Sequence, residues 1–156
     1  PKLASQSGDI CRIATVEAGK LNGILGLIGG QYLDLYPVDI DEKLIMEIIK
    51  KKTVVLFELS FILGWLFGGG DMGRIEDVKK ASFHFGTAFQ ILDDIDDFEQ
   101  DLKAGKRINY AVFFGLDAAK KAVKEHTHQF LDKLNLLQLH SRDLERLGEI
   151  LQKMCE

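Results

Sequence analysis

Residues 86–110 read GTAFQILDDIDDFEQDLKAGKRINY, and the rest of the chain is best read outward from them. Six carboxylates fall between positions 93 and 101: Asp93, Asp94, Asp96, Asp97, Glu99 and Asp101. The 156-residue chain has a formal charge of −4, so the remainder carries a slight positive excess and the acidity is local. Just upstream, Phe83, Phe85, Ala88, Phe89, Ile91, Leu92 and Ile95 recur at short mixed spacings without a proline, the pattern of a largely buried helix. On that helix Asp93 and Asp97 stand one turn apart on one face, about 6 Å along the axis. Asp94 lies beside them and Gln90 a turn earlier. Carboxylates this close repel, and the C-terminal half of a helix offers no dipole relief. A compensating cation is expected. Oxygen-only ligands suit a hard divalent ion, and Mg2+ is often held by one or two carboxylates with water and phosphate in its other positions. The plainer alternative is a solvated acidic helix end.

Composition sets the class. The chain is 46% apolar with only two prolines, which predicts an all-α fold, read as a single helical domain over residues 1–156. Cys11 and Cys155 have neither CxxC nor metal-ligand spacing, which favours a reducing compartment. A pI near 5.6 without a basic stripe argues against nucleic acid as a partner. Residues 1–10 lack the charged and apolar regions of a signal peptide. Residues 54–70 form the longest apolar stretch, but Glu58 interrupts it and three glycines end it, so it reads as a buried helix and not a membrane span.

The other segments follow from periodicity and punctuation. Over residues 7–35, Gly19, Gly23, Gly26, Gly29 and Gly30 recur every few positions and are expected on one helical stripe, serving close packing or a groove for a flat apolar ligand. Pro37 ends this region, and Asp39 with Glu42 has the spacing of a capping box. Ile40, Leu44, Ile45, Ile48 and Ile49 then give one apolar face. Glu58, inside the apolar run, calls for a partner if buried. Gly68, Gly69, Gly70 and Gly73 mark a loop. His84 is expected to be packed and hydrogen-bonded, and His126, His128 and His140 have no zinc spacing. Helices over about 118–134 and 141–154, with Asp117 and Ser141 as caps, are expected on the outside of the bundle.

FQILDDIDD, with Phe89, Gln90, Asp93, Asp94 and Asp97, resembles the second aspartate-rich motif of the trans-isoprenyl diphosphate synthases, the prenyltransferases that make geranyl, farnesyl and geranylgeranyl diphosphate. Companions follow in the family's order. GGQYLDL resembles its GQxxDL segment through Gln31 and Asp34, which line the prenyl pocket there. KKTVVLFE resembles its KT motif, matching Lys52 to a diphosphate-contacting lysine and Thr53 to its neighbour. DLKAGKRINYAVFFG resembles DLxxGKxTYP, with Lys106 as a second diphosphate lysine and Asn109–Tyr110 at the Thr/Ser–Tyr pair. Arg107 has no firm counterpart. Two departures stand out: the connection after Asp97 is shorter than in the family, and Ala111 replaces the proline after the tyrosine.

The resemblance covers about residues 12–135 and implies the C-terminal half of an isoprenoid-synthase-type helical bundle. The first DDxxD motif and the basic motif for isopentenyl diphosphate are not in this sequence, so the chain is expected to be part of a longer polypeptide. The implied activity is Mg2+-dependent head-to-tail condensation of isopentenyl diphosphate with an allylic prenyl diphosphate. Asp93 and Asp94 are the implied metal ligands, with Asp97 a ligand or its support. Lys52 and Lys106 would clamp the allylic diphosphate, with Thr53, Phe89, Gln90, Gln31 and Asp34 lining the substrate site. A homodimer is expected, as is a cytoplasmic location. Membrane association is expected only through an upstream segment or the lipid product. A class I terpene cyclase, a noncatalytic regulatory subunit of a heteromeric synthase, and a bundle with a mere acidic patch are the alternatives.

Overall fold

The computed structural model describes residues 2–139 and 141–153, the side chains of residues 2–7 excepted. The readings of Cys155 and His140, and the end of the last expected helix at Met154, lie outside these residues. The described regular structure is helical, with no strand. In order come α1 (Lys2–Asn22), α2 (Leu27–Leu35), α3 (Glu42–Ile48), a π-helical turn (Ile49–Val54) and α4 (Val55–Phe67). A 3₁₀ turn (Met72–Arg74) leads to α5 (Ile75–Asp96), followed by α6 (Phe98–Lys103), α7 (Tyr110–Phe114), α8 (Leu116–Leu136) and α9 (Arg142–Lys153).

The acidic motif sits at the end of α5, and α5 is the axis of the molecule. It packs against α4 and the π turn on one side and along the length of α8 on the other, with α7 and α9 against its C-terminal half. Small residues let neighbours come close. At Gly86 an added Cβ would sit 3.0 Å from Val54 Cα and 3.1 Å from the Phe57 ring. Phe85 anchors an aromatic cluster, with Phe57 edge-on at 4.9 Å, Phe130 at 5.1 Å and Phe61 at 5.9 Å.

The helix over 118–134 is amphipathic, with one face turned into the bundle and the rest exposed or partly exposed. Ala119, Val123, Thr127, Phe130 and Leu134 recur every three or four residues and are all buried against α5. The many charges of α8 lie on its other faces, and the narrow stripe is what joins it to the core. Asp117 is not its cap. Gly115, at φ 90°, occupies that position, and Asp117 falls in the first turn, where its charge suits the helix N-terminus. Ser141 directly precedes α9, and its carbonyl accepts from the Glu145 amide at 3.0 Å.

The early glycines do not form one stripe. The helix breaks between Asn22 and Leu27, so they are divided between two helices and their junction. Gly30 alone shows an interhelical reason for being glycine: a Cβ there would lie 2.7 Å from Lys51 and from the Lys52 amide nitrogen. The cap of α3 is Asp41 and not Asp39. Its extended backbone ends at the helix, and its Oδ1 accepts from the Leu44 amide at 2.7 Å. On α4, Val55, Ile62 and Leu66 are buried while Leu56 and Phe67 are exposed. No helix of the described residues is long and apolar enough to cross a membrane. Glu58 has no ion-pair partner among the described residues. It is half-buried, Lys79 turns to Glu17 (3.1 Å) and Glu76 (3.2 Å), and burial raises the Glu58 carboxyl's pKa.

His84 is packed and hydrogen-bonded, as expected, but its partner lies on another helix: its Nδ1 meets His126 Nδ1 of α8 at 3.0 Å. Burial, then the neighbouring His126 and Lys133, push the His84 pKa down to about 4. An unfolded chain takes that proton near pH 6.5. Between these values the unfolded state binds more protons, so this stabilisation is present above about pH 6.5 and lost as pH falls towards 4. We expect a loss of about 1–2 kcal/mol, discounted for the partial exposure of the ring. Urea titrations at pH 7.5 and 5 should show a shallower pH slope in His84→Gln than in wild type. Equal slopes would assign the acid loss to other groups. The comparison is needed because Asp94, whose pKa is raised to about 6, works with the opposite sign.

Candidate active site

Four separated segments bring their polar side chains to one cleft of about 50 Å³. From α2 comes Asp34, from the π turn Lys52 and Thr53, from α5 Gln90 and Asp94, and from the loop after α6 Lys106 and Asn109. Ile45, Ile48, Ile49 and Ile108 form its apolar lining. The π turn matters here. One extra residue per turn rotates Lys52 and Thr53 relative to α3 and α4, a distortion often found at functional sites.

The groups are joined in one ion pair and two hydrogen-bond networks. Lys52 Nζ donates to Asp34, while Thr53 Oγ1 donates to Gln90 Oε1 at 2.5 Å. Gln90 Nε2 in turn donates to Asp94 Oδ1 at 2.9 Å and approaches Asp93 Oδ2 at 3.5 Å. Tyr110 N–H closes on Asp94 Oδ2 at 2.7 Å. Burial is the largest influence on Asp94 and pushes its pKa up to about 6, against the lowering effect of Tyr110, Gln90 and Lys106. The second network centres on Asp101, whose Oδ2 accepts from Lys106 Nζ at 2.9 Å and from Asn109 Nδ2 at 3.0 Å. Burial would raise Asp101, but these donors outweigh it and hold it below the usual carboxylate range. The same bond raises Lys106.

Local sequence explains how Lys106 returns to Asp101. Gly105, at φ 69°, lets the chain reverse after α6, and the Lys106 amide donates back to the Asp101 carbonyl at 3.0 Å. Asn109 then caps α7 by accepting from the Val112 amide at 2.9 Å, while its amide group also reaches the Asp94 carbonyl at 2.8 Å. Neither Asp101 nor Asn109, the latter matched only to the Thr/Ser–Tyr pair, is among the residues expected at the site from the motifs. The available signal was the Asp-x-x-x-Gly-Lys spacing, which a glycine turn converts into contact.

The remaining expected residues sit apart from this cleft. Asp93 is exposed, beside Phe89 and Asp96 in an adjoining groove of about 150 Å³ walled by Leu147, Ile150 and Leu151 of α9. Phe89 is 44% exposed and tilts onto Phe57 at 5.2 Å. Asp97 is exposed at the end of α5, and Gln31 is exposed on α2 outside the cleft lining. Among the described residues no three His, Cys, Asp or Glu side chains converge into a ready cage for a metal. The arrangement fits a hard cation held by Asp93 alone, or with one neighbour, completed by water and phosphate oxygens.

The cleft sets two carboxylates, Asp34 and Asp94, against two lysines, Lys52 and Lys106, in an all-helical scaffold. The Polyprenyl synthetase family profile matches residues 19–135, and the chain belongs to that family. It is 29% identical over 136 residues to geranylgeranyl pyrophosphate synthase 11, chloroplastic, of Arabidopsis thaliana, covering 78% of this chain and 38% of that protein. A trans-prenyltransferase of African swine fever virus is 33% identical over 106 residues, 67% of this chain and 30% of its own. The chain thus spans 38% and 30% of the length of these two relatives. In three dimensions it superposes on an FPP/GFPP synthase from Zymomonas mobilis with a TM-score of 0.73 at 21% identity, over 95% of this chain and 51% of that one, a likeness of fold.

Proposed function

We propose that the polypeptide carrying this chain is a trans-prenyltransferase that extends an allylic diphosphate with isopentenyl diphosphate in a Mg2+-dependent reaction. The observation that carries the proposal is that Asp34, Lys52, Thr53, Gln90, Asp94 and Lys106, from four separate segments, line one cleft. Asp93 and Asp94 would hold Mg2+, with Asp97 one turn on as a further candidate. The bound ion would supply Lewis-acid stabilisation of the charge that develops on the leaving diphosphate. Lys52 and Lys106 place ammonium groups where the same charge grows, and their long stems leave them free to move from Asp34 and Asp101 onto an anion. Gln90 aligns Asp94 and, through Asp93, links the inner network to the exposed carboxylate. Phe89 and Phe57 offer an apolar surface beside Asp93 on which a prenyl chain would lie.

A second reading, a noncatalytic subunit of a heteromeric synthase, draws on the pairing of both lysines with carboxylates of the chain itself. Calorimetry with a bisphosphonate separates binding from none. On the catalytic reading, the heat of binding requires Mg2+ and disappears in Asp93→Ala. Absence of binding by the wild type at any Mg2+ concentration removes that reading.

A further inference from the structure

We propose that Asp101 is a positioning residue for the diphosphate-facing edge of the cleft, acting through Lys106 and Asn109. It deepens the proposed function, since the role matters to catalysis only if the cleft takes a diphosphate. Asp101 is one of six carboxylates in a short acidic run, yet it is the least exposed of them, at 5%. A carboxylate is costly to bury unless donors reach it, and here two do, both on the same oxygen. One donor is the lysine that faces the cleft. The other is Asn109, which also holds the Asp94 carbonyl and caps α7.

The consequence is geometric. Residues 104–109 carry no helix, and Gly105 and Lys106 are exposed. What fixes this loop is its return to Asp101. With Asn109 held, the next amide, Tyr110 N–H, is delivered to Asp94 Oδ2. Asp101 therefore sets both the place from which Lys106 can reach an anion and the donor that orients Asp94. It need not touch substrate or metal to do either.

A positioning role and a charge role predict opposite signs. As a charge, Asp101 competes with an incoming anion, so its removal should tighten anion binding. As a positioner, its removal should weaken it. Two variants separate the roles, because one oxygen accepts both bonds: an amide oxygen in Asp101→Asn can keep them, whereas Asp101→Ala cannot. Inorganic pyrophosphate with Mg2+ serves as the anion, and hydrogen exchange of the Tyr110 amide reports the loop without any ligand. We expect Asp101→Ala to weaken pyrophosphate binding roughly tenfold and to raise Tyr110 exchange by a similar factor, the size of effect of one lost charge-assisted bond. Asp101→Asn should recover most of both. In a Lys106→Ala background, Asp101→Ala should still raise Tyr110 exchange, and the further loss of affinity should shrink to the part that passes through Asp94. Tighter binding in both variants, or unchanged exchange in Asp101→Ala with its helical spectrum intact, would overturn the inference. If the wild type binds no pyrophosphate while Tyr110 exchange responds as described, the diphosphate reading fails and the positioning role stands.

Discussion

Replacing Asp93 and Asp94 together with alanine is expected to lower prenyl extension by about a thousandfold or more in the polypeptide that carries this chain, read out with labelled isopentenyl diphosphate, an allylic diphosphate and Mg2+. Electrostatic stabilisation of a departing anion is commonly the largest single contribution to such a reaction, and losing metal-binding carboxylates removes it at its source. The structure divides the two residues. Asp93 is exposed and, among the described residues, its carboxylate meets only the Gln90 amide, at 3.5 Å, so Asp93→Ala should cost activity with stability changed by less than about 0.5 kcal/mol. Asp94 is largely buried with donors on both oxygens. Its loss leaves the Tyr110 amide and Gln90 without their acceptor, which costs about 1–3 kcal/mol of stability in addition to activity. A thermal melt beside the extension assay separates these effects. Wild-type protein with a full helical spectrum and no extension would favour the noncatalytic reading.

That division was not legible in the sequence, where DDIDD presents its acids as equals. Periodicity located α5 and its burial because seven apolar residues in a short span leave little choice. It also placed Asp93 and Asp97 a turn apart, and the Asp97 amide does donate to the Asp93 carbonyl at 3.0 Å. It could not tell which acid turns inward, because that depends on Tyr110, sixteen residues on, whose amide arrives only after Gly105 reverses the chain. The same limit applies to Lys52. The three adjacent lysines look alike in sequence, and the π turn decides that Lys52 meets Asp34 while Lys51 meets Glu47. His84 was legible as a packed residue, but its partner forty-two positions away was not. Motif order across segments supplied what spacing could not, by marking Lys52, Gln90 and Lys106 for one place, while Asp34, matched with Gln31 to the lining of a prenyl pocket, instead pairs with Lys52.

Gly30→Ala is expected to destabilise the chain by about 2–3 kcal/mol and to weaken anion binding in the cleft, although Gly30 lies inside a helix where alanine should help. Helix propensity alone predicts a gain of about 1 kcal/mol. Packing predicts the reverse. A Cβ at Gly30 would lie 2.7 Å from Lys51 C and Cβ and from the Lys52 nitrogen, and most of those atoms are backbone that cannot swing aside. To admit a methyl group α2 must lift from the π turn, and that contact is the one that presents Asp34 to Lys52. The stability loss and the site loss should therefore appear together. Gly19→Ala is the control: it lies in α1 with nothing within 4 Å of the added Cβ, so propensity acts alone and the melting temperature should rise. Thermal melts of the two variants, with Mg2+–pyrophosphate calorimetry, check both signs. If Gly30→Ala melts higher than wild type, α2 is free to move off the π turn, and the rigid seating of Asp34 on which the cleft geometry depends would have to be abandoned.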